Sequence, residues 1–207
     1  MPSIQPLTDL EKDALAELSN NAMARAATSL RQMVGSEVLL SVPMVDIISK
    51  QDAGDIIRAS ASHSLVAIRQ DFAGPFSGRA LLIFPEANSL QLVKVVVGRE
   101  IPLEDIGTLE DEALAETGNI ILNSWIATLA NLLKQSLKIS LPVVLRGDSD
   151  AMLKSAVEQE MVLFLHINFE ISTKEIRGYV ALLMDLTSVD ELRGLISKMI
   201  EDLGQAS

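Results

Sequence analysis

Two stretches, DALAELSN at residues 13–20 and EALAETGN at residues 112–119, carry an acid, a glutamate and an asparagine at one shared spacing. Both are rich in Ala, Leu and Glu, the composition of a helix. In each, the three polar residues stand at i, i+4 and i+7. At about 100° per residue they fall within roughly 60° of one another. Asp13, Glu17 and Asn20 therefore line one stripe of a helix, and Glu112, Glu116 and Asn119 line another, 112 − 13 = 99 residues later.

The correspondence extends outward from these helices. Pro43 and Pro142 keep the same separation, each within a β-type run, EVLLSVPMV (37–45) and KISLPVVL (138–145). Further on, SGRALLIFPEANSLQLV from Ser77 aligns with RGYVALLMDLTSVDELRGLI from Arg177, with one residue inserted. The chain reads as a single domain over 1–207 made of two repeats, about 8–98 and 109–203. A period this long in only two copies indicates a duplicated unit with pseudo-twofold symmetry, not a solenoid.

Each repeat predicts one long helix, three strands and a closing helix. The long helices are expected near Thr8–Met33 and Leu109–Leu137, with Leu15, Leu18, Ala22, Ala26 and Leu30 sharing an inner face of the first. Leu114, Ile121, Ile126, Leu129 and Leu133 supply the apolar sides of the second. Strands are expected near Val38–Val45, Ile56–Gln70 (in one piece or two) and Phe76–Phe84, then Ile139–Leu145, Met161–Phe169 and Ile176–Met184. Closing helices are expected at Ser89–Val97 and Val189–Leu203. Helices and antiparallel strands segregate, so the expected class is α+β.

Composition narrows the function. The chain has no cysteine, which removes disulfides, a thiol nucleophile and thiolate metal sites and fits a cytoplasmic protein. Net charge is 17 − 28 = −11, which repels phosphate backbones and anionic lipid and argues against nucleic-acid and membrane roles. The start, MPSIQPLTDLEKD, lacks the basic and apolar segments of a signal peptide. His63 and His166, the two histidines, read as structural, and GDSD at 147–150 reads as a turn without a calcium-loop pattern. Trp125 reads as a packing residue.

On one helix alone, an acidic and amide stripe is ordinary solvated surface. Repeated at one spacing, with a proline held at one distance, it points to chemistry. An Asn carboxamide donates and accepts, so it can hold a water and aim it; Glu can serve as a base or pair with a cation. These groups suit a substrate that brings its own electrophile, metal and cation. A receiver domain phosphorylated on aspartate does so, because phosphoryl transfer needs mainly positioning and charge neutralisation.

The pattern of an Asp or Ser, three residues, Glu, two residues, Asn, twenty-two residues and Pro resembles the signature of the CheC/CheX/FliY phosphatases of bacterial chemotaxis. Asp13-Glu17-Asn20-Pro43 matches it throughout, and Glu112-Glu116-Asn119-Pro142 matches from the second Glu onward. The resemblance implies hydrolysis of the aspartyl phosphate of a CheY-type response regulator. Asn20 and Asn119 would position the attacking water, and Glu17 and Glu116 would pair with the regulator's lysine. Asp13, Glu112, Pro43 and Pro142 would support the motif. No cofactor of its own is implied, Mg²⁺ arriving with the phosphorylated partner. The implied fold is an antiparallel sheet bearing the two motif helices side by side. The alternative is a non-catalytic adaptor for a receiver domain or for the deamidase CheD. The duplication already supplies twofold packing, so a monomer is expected. The first motif departs from the usual Gly before Asn, reading Ser19-Asn20-Asn21 with Arg25 beyond, whereas the second keeps Gly118-Asn119-Ile120.

Overall fold

The structure is a computed structural model that describes residues 7–60, 64–89, 93, 106–154, 160–171 and 174–205. Helix α1 spans Asp9–Val34. Thr8 caps it: its hydroxyl accepts from the Glu11 N–H while the Glu11 carboxylate accepts from the Thr8 N–H at 2.7 Å, satisfying two end donors reciprocally. Gly35, at φ 66°, ends it in the left-handed conformation that glycine adopts without penalty. Strand β1 (Val38–Ser49) follows, then α2 (Lys50–Ser60), β2 (Leu65–Ala73) and β3 (Gly78–Pro85). The second half holds α3 (Ile106–Leu132), β4 (Lys138–Ile139), β5 (Val143–Gly147), a single turn α4 (Ser149–Met152), β6 (Glu160–Ile171), β7 (Lys174–Asp185) and α5 (Leu186–Gln205).

The described strands form one seven-stranded sheet in the order β1-β6-β7-β3-β2-β4, with β5 also on β2. Every pairing is antiparallel. Exchanging β1 for β4 and β5, β2 for β6, and β3 for β7 returns the same order, with the β7–β3 pair at its centre. This is the arrangement two copies of one unit would produce.

Alternation along the strands builds two cores, one on each face. Val66, Ile68 and Phe72 of β2 join Leu163, Leu165 and Ile167 of β6 beneath α1, α3 and α5. Leu65, Ala67, Val162 and Phe164 point the other way, beneath α2 and α4, where Ala53, Ile57, Met152 and Leu153 cover them. The two motif helices lie together on the first face. Trp125 of α3 is fully buried, and its Nε1–H donates to the Ser19 hydroxyl of α1 at 3.0 Å. Each apolar residue expected on the inner faces of the two helices is buried.

Several boundaries differ from the sequence expectation. Ile56 and Ile57 lie in helix α2, not in a strand. The Ser49 hydroxyl accepts from the Asp52 N–H at 3.1 Å, and Ala53 and Ile57 share the buried side at helical spacing. The expected Ile139–Leu145 strand is split into β4 and β5 around Pro142, whose ring has no N–H to give a ladder. Helix α3 ends at Leu132, before the expected Leu137. Asp148 is more than a turn residue: its side chain accepts from the Ala151 N–H at 2.8 Å and caps α4. Residues 86–89 are helical, but most of the expected Ser89–Val97 helix, like His63, lies outside the described residues.

Candidate active site

On α1, Asp13, Glu17 and Asn20 are all exposed; on α3, Glu112 and Glu116 are exposed and Asn119 is half-buried. None of the four motif carboxylates takes part in an ion pair among the described residues. Each stripe therefore offers solvent a negative charge one turn before a carboxamide. Pro43 is exposed and Pro142 half-buried, and Pro43 directly follows Val42, whose backbone bonds Asn20.

The two asparagines are held differently. The Asn20 amide faces the backbone of Val42, just before Pro43, at a bulge in β1 between Ser41 and Met44. Its Oδ1 accepts from the Val42 N–H at 2.9 Å, and its Nδ2 donates to Val42 O at 3.3 Å and Ala16 O at 2.9 Å. The amide thus substitutes for ladder bonds that the bulge interrupts. The Asn119 Oδ1 accepts from Asn123 Nδ2 at 2.7 Å and from Gln70 Nε2 at 3.2 Å. Gln70 Nε2 also donates to Ser140 O at 2.9 Å, two residues before Pro142.

The glycine preceding Asn119 has a steric cause. A Cβ on Gly118 would stand 2.4 Å from Ile68 Cγ2, so α3 rests directly on β2 at this point. In α1 the same position is Ser19, fully buried, whose hydroxyl donates to Leu15 O at 2.6 Å and accepts from Trp125. The departure Ser-Asn from Gly-Asn is thus tied to the seam between the helices. Arg25 is exposed on α1.

The family model for chemotaxis phosphatase CheX matches residues 66–166. The CheY-P phosphatase CheC of Bacillus subtilis (strain 168) is 23% identical over 192 residues, 88% of this chain and 91% of that protein. The crystal structure of FliY from Thermotoga maritima superposes with a TM-score of 0.74 at 20% identity, covering 93% of this chain and 98% of that one. The chain is similar in sequence and in fold to the chemotaxis phosphatases CheC, CheX and FliY. A crystal structure of a CheX–CheY–BeF₃–Mg²⁺ complex from Borrelia burgdorferi also matches, with a TM-score of 0.50 at 17% identity over 79% of this chain and 96% of that one. The antiparallel sheet with helices on it, expected from the resemblance, is the fold shared with these solved structures.

The CheX match takes in β2, β3, α3, β4 and β5, and so holds the second motif with the strand beneath it but not the first motif. Sequence reasoning missed Gln70, Asn123 and Ser140. A signal existed for Gln70: it is a polar residue on the inward alternation Ile68, Gln70, Phe72 and is 1% exposed.

Other polar features stand apart from the stripes. His166 lies in β6 edge-on to the stacked rings of Phe164 and Tyr179, at 5.3 and 5.0 Å, and burial pushes its pKa down. A cleft of about 330 Å³ opens on the other face of the sheet, lined by Lys50, Gly54, Arg58, Asp150, Leu153 and Lys154. Among the described residues, no group of three or more His, Asp or Glu could hold a metal, and no helix is long and apolar enough to cross a membrane.

Proposed function

We propose that this protein hydrolyses the aspartyl phosphate of a CheY-type response regulator. The observation that carries the reading is the pair of stripes: on two adjacent helices an exposed, unpaired glutamate stands one turn before an asparagine. The names of the matched relative and complex agree with it, one a CheY-P phosphatase, the other CheX bound to CheY with BeF₃ and Mg²⁺. We further read the chain as a single domain of two repeats, about 8–98 and 109–203, an assignment that the symmetric strand order supports.

The roles follow from charge. A carboxylate set against phosphoryl oxygens is repelled, so Glu17 and Glu116 belong on a cation, the lysine of the regulator's phosphorylation site. Asn20 or Asn119 then reaches the phosphoryl group as a neutral carboxamide. An amide N–H donating to a water oxygen leaves the other lone pair free to attack phosphorus in line. The P–O bond to the aspartate breaks, the carboxylate leaves, and the water's proton passes to the phosphate. The Mg²⁺ in the matched CheX–CheY–BeF₃–Mg²⁺ complex supports assigning the ion to the phosphorylated partner.

The test is decay of acyl phosphate on a purified receiver domain with and without the protein. The double variant Asn20→Ala/Asn119→Ala should lose acceleration on the order of a hundredfold, as when a transition-state donor is removed, while still binding the BeF₃-loaded receiver. Undiminished decay in that variant rejects the hydrolytic roles. Acceleration by neither protein, with binding intact, selects the adaptor reading.

A further inference from the structure

The two motifs repeat in sequence, but the residues beneath them do not. Asp71 of β2 and Ser140, just after β4, face each other: Ser140 N–H donates to Asp71 O and Asp71 N–H donates to the Ser140 hydroxyl, both at 2.9 Å. The matching pair at the other end of the sheet is Ser41 and Asn168. By that register, the counterpart of Gln70 is Ile167, and the helical counterpart of Asn123 is Ala24. Neither can donate a side-chain hydrogen bond, and Asn20 turns instead to the Val42 backbone.

Gln70 is not explained by stability. It is buried beneath α3, and its Oε1 has no hydrogen-bond partner among the described residues. An orphaned buried acceptor is costly, and an apolar residue of the same volume would remove the cost. Its amide orientation is fixed by the bond from Nε2 to Ser140 O. That places a donor, not an acceptor, against Asn119 and so sets Asn119 Oδ1 inward, where Asn123 also donates to it. Asn119 Nδ2 makes no hydrogen bond among the described residues and is left as the group Asn119 can offer a partner.

We propose that Gln70, assisted by Asn123, is a positioning residue that fixes the Asn119 carboxamide with its N–H donors outward and makes α3 the principal hydrolytic helix. The proposal rests on the hydrolytic reading above. Asn119 is preset without using its donors. Asn20 must surrender its bonds to the Val42 backbone before it can serve a phosphoryl group, so α1 is the lesser helix.

The experiment compares the parent with Gln70→Met, Asn119→Ala, Asn20→Ala and the Gln70→Met/Asn119→Ala pair, on a phosphorylated receiver domain. Gln70→Met keeps volume and removes both the donors and the orphaned carbonyl. It should lower kcat on the order of tenfold through misplacement of Asn119, with KM changed by less than about twofold. It should add nothing in the Asn119→Ala background. The side-chain NH₂ resonances of Asn119, assigned by their loss in Asn119→Ala, should shift toward the exposed-amide position in Gln70→Met, while those of Asn20 stay. Asn123→Ala, should Gln70→Met fold poorly, must lower kcat in the same direction. Full activity of Gln70→Met beside a slow Asn119→Ala overturns the positioning role and leaves the hydrolytic reading standing. A larger loss in Asn20→Ala than in Asn119→Ala overturns the assignment of α3. Full activity with both asparagines removed rejects the hydrolytic reading itself.

Discussion

Replacing Gly118 by alanine tests the seat of α3 on the sheet, and with it the placement of Asn119. The added Cβ would stand 2.4 Å from Ile68 Cγ2, 2.5 Å from Ile68 Cβ and 2.8 Å from Ile68 Cγ1. Carbon atoms rest at about 3.5–4.0 Å, so the helix or the strand must move by about 1 Å. Ile68 is fully buried and paired in register with Leu82 of β3 and Val144 of β5, and its clashing atoms lie at the branched root of the side chain. The cost therefore belongs at the upper end of about 1–3 kcal/mol for overpacking. Alanine regains about 1 kcal/mol of helix propensity over glycine, leaving a net loss of about 2 kcal/mol. In an Ile68→Ala background Cγ1 and Cγ2 are gone while the Cβ contact at 2.5 Å remains beside space into which the helix can settle, so the net loss from Gly118→Ala should be clearly smaller than in the parent. Urea unfolding followed by the fluorescence of Trp125 measures all four corners of the cycle. A Gly118→Ala effect of the same size and sign in both backgrounds refutes the contact. In the intact background, phosphatase activity should fall with stability, because a 1 Å shift at residue 118 reaches the Asn119–Gln70 bond of 3.2 Å.

Trp125, the single tryptophan and fully buried, should emit at short wavelength and shift red on unfolding; Trp125→Phe should cost about 1–2 kcal/mol, from lost volume and the lost bond to Ser19. For Glu11, burial pushes the pKa up, but the Thr8 hydrogen bonds and Arg193 outweigh it and hold it below the ordinary carboxylate range. Its contribution is therefore full above the unfolded value and lost as pH falls through the depressed folded value. The gap in urea midpoint between the parent and Glu11→Gln should be widest at neutral pH and close in acid. Arg146 joins β5 to α3 through Asp111 at 2.7 Å and Glu110 at 3.3 Å. Being partly exposed, it should cost no more than about 1 kcal/mol on Arg146→Ala, with the difference shrinking in high salt.

The two motif helices, the sheet class and the motif stripes were legible because a repeat at constant spacing is a strong signal even where each copy alone is weak. Leu15 to Leu30 and Leu114 to Leu133 follow a helical period over many turns, and their burial is decided by that period. Helix α2 was not legible, because Ile56-Ile57 reads as a strand when the Ser49 cap before it is overlooked. The break between β4 and β5 was written in Pro142, but a proline in an edge strand can stay paired on one side, so the sequence permits either outcome. Gln70 marks the limit. Its inward position follows from alternation, yet its partners come from α3, 49 residues away, and from Ser140, 70 residues away. Only the strand order brings them together.

That order also bears on what counts as one functional unit. The helix carrying Glu116 and Asn119 belongs to the second half of the chain, but the strand beneath it, β2 with Ile68 and Gln70, belongs to the first. The strands that follow each motif helix likewise pair with the other half: β1 with β6, and β4 and β5 with β2. A site is therefore assembled across the halves, and a substitution in one changes the helix of the other. The surroundings of the two asparagines differ beneath the motif: Gln70 and Asn123 stand at Asn119 where Ile167 and Ala24 stand at Asn20. The stretch matched by the CheX family model, 66–166, starts in β2 and contains α3, so it corresponds to this composite unit and not to either sequence repeat. Conversion of the first site to the geometry of the second should then require donors at both Ile167 and Ala24, since Asn119 draws on Gln70 and Asn123 together. The double variant Ile167→Gln/Ala24→Asn should raise the activity that remains in Asn119→Ala, and either change alone should raise it less. No gain from the pair would mean that the Val42 bulge, not the missing donors, holds Asn20 in place.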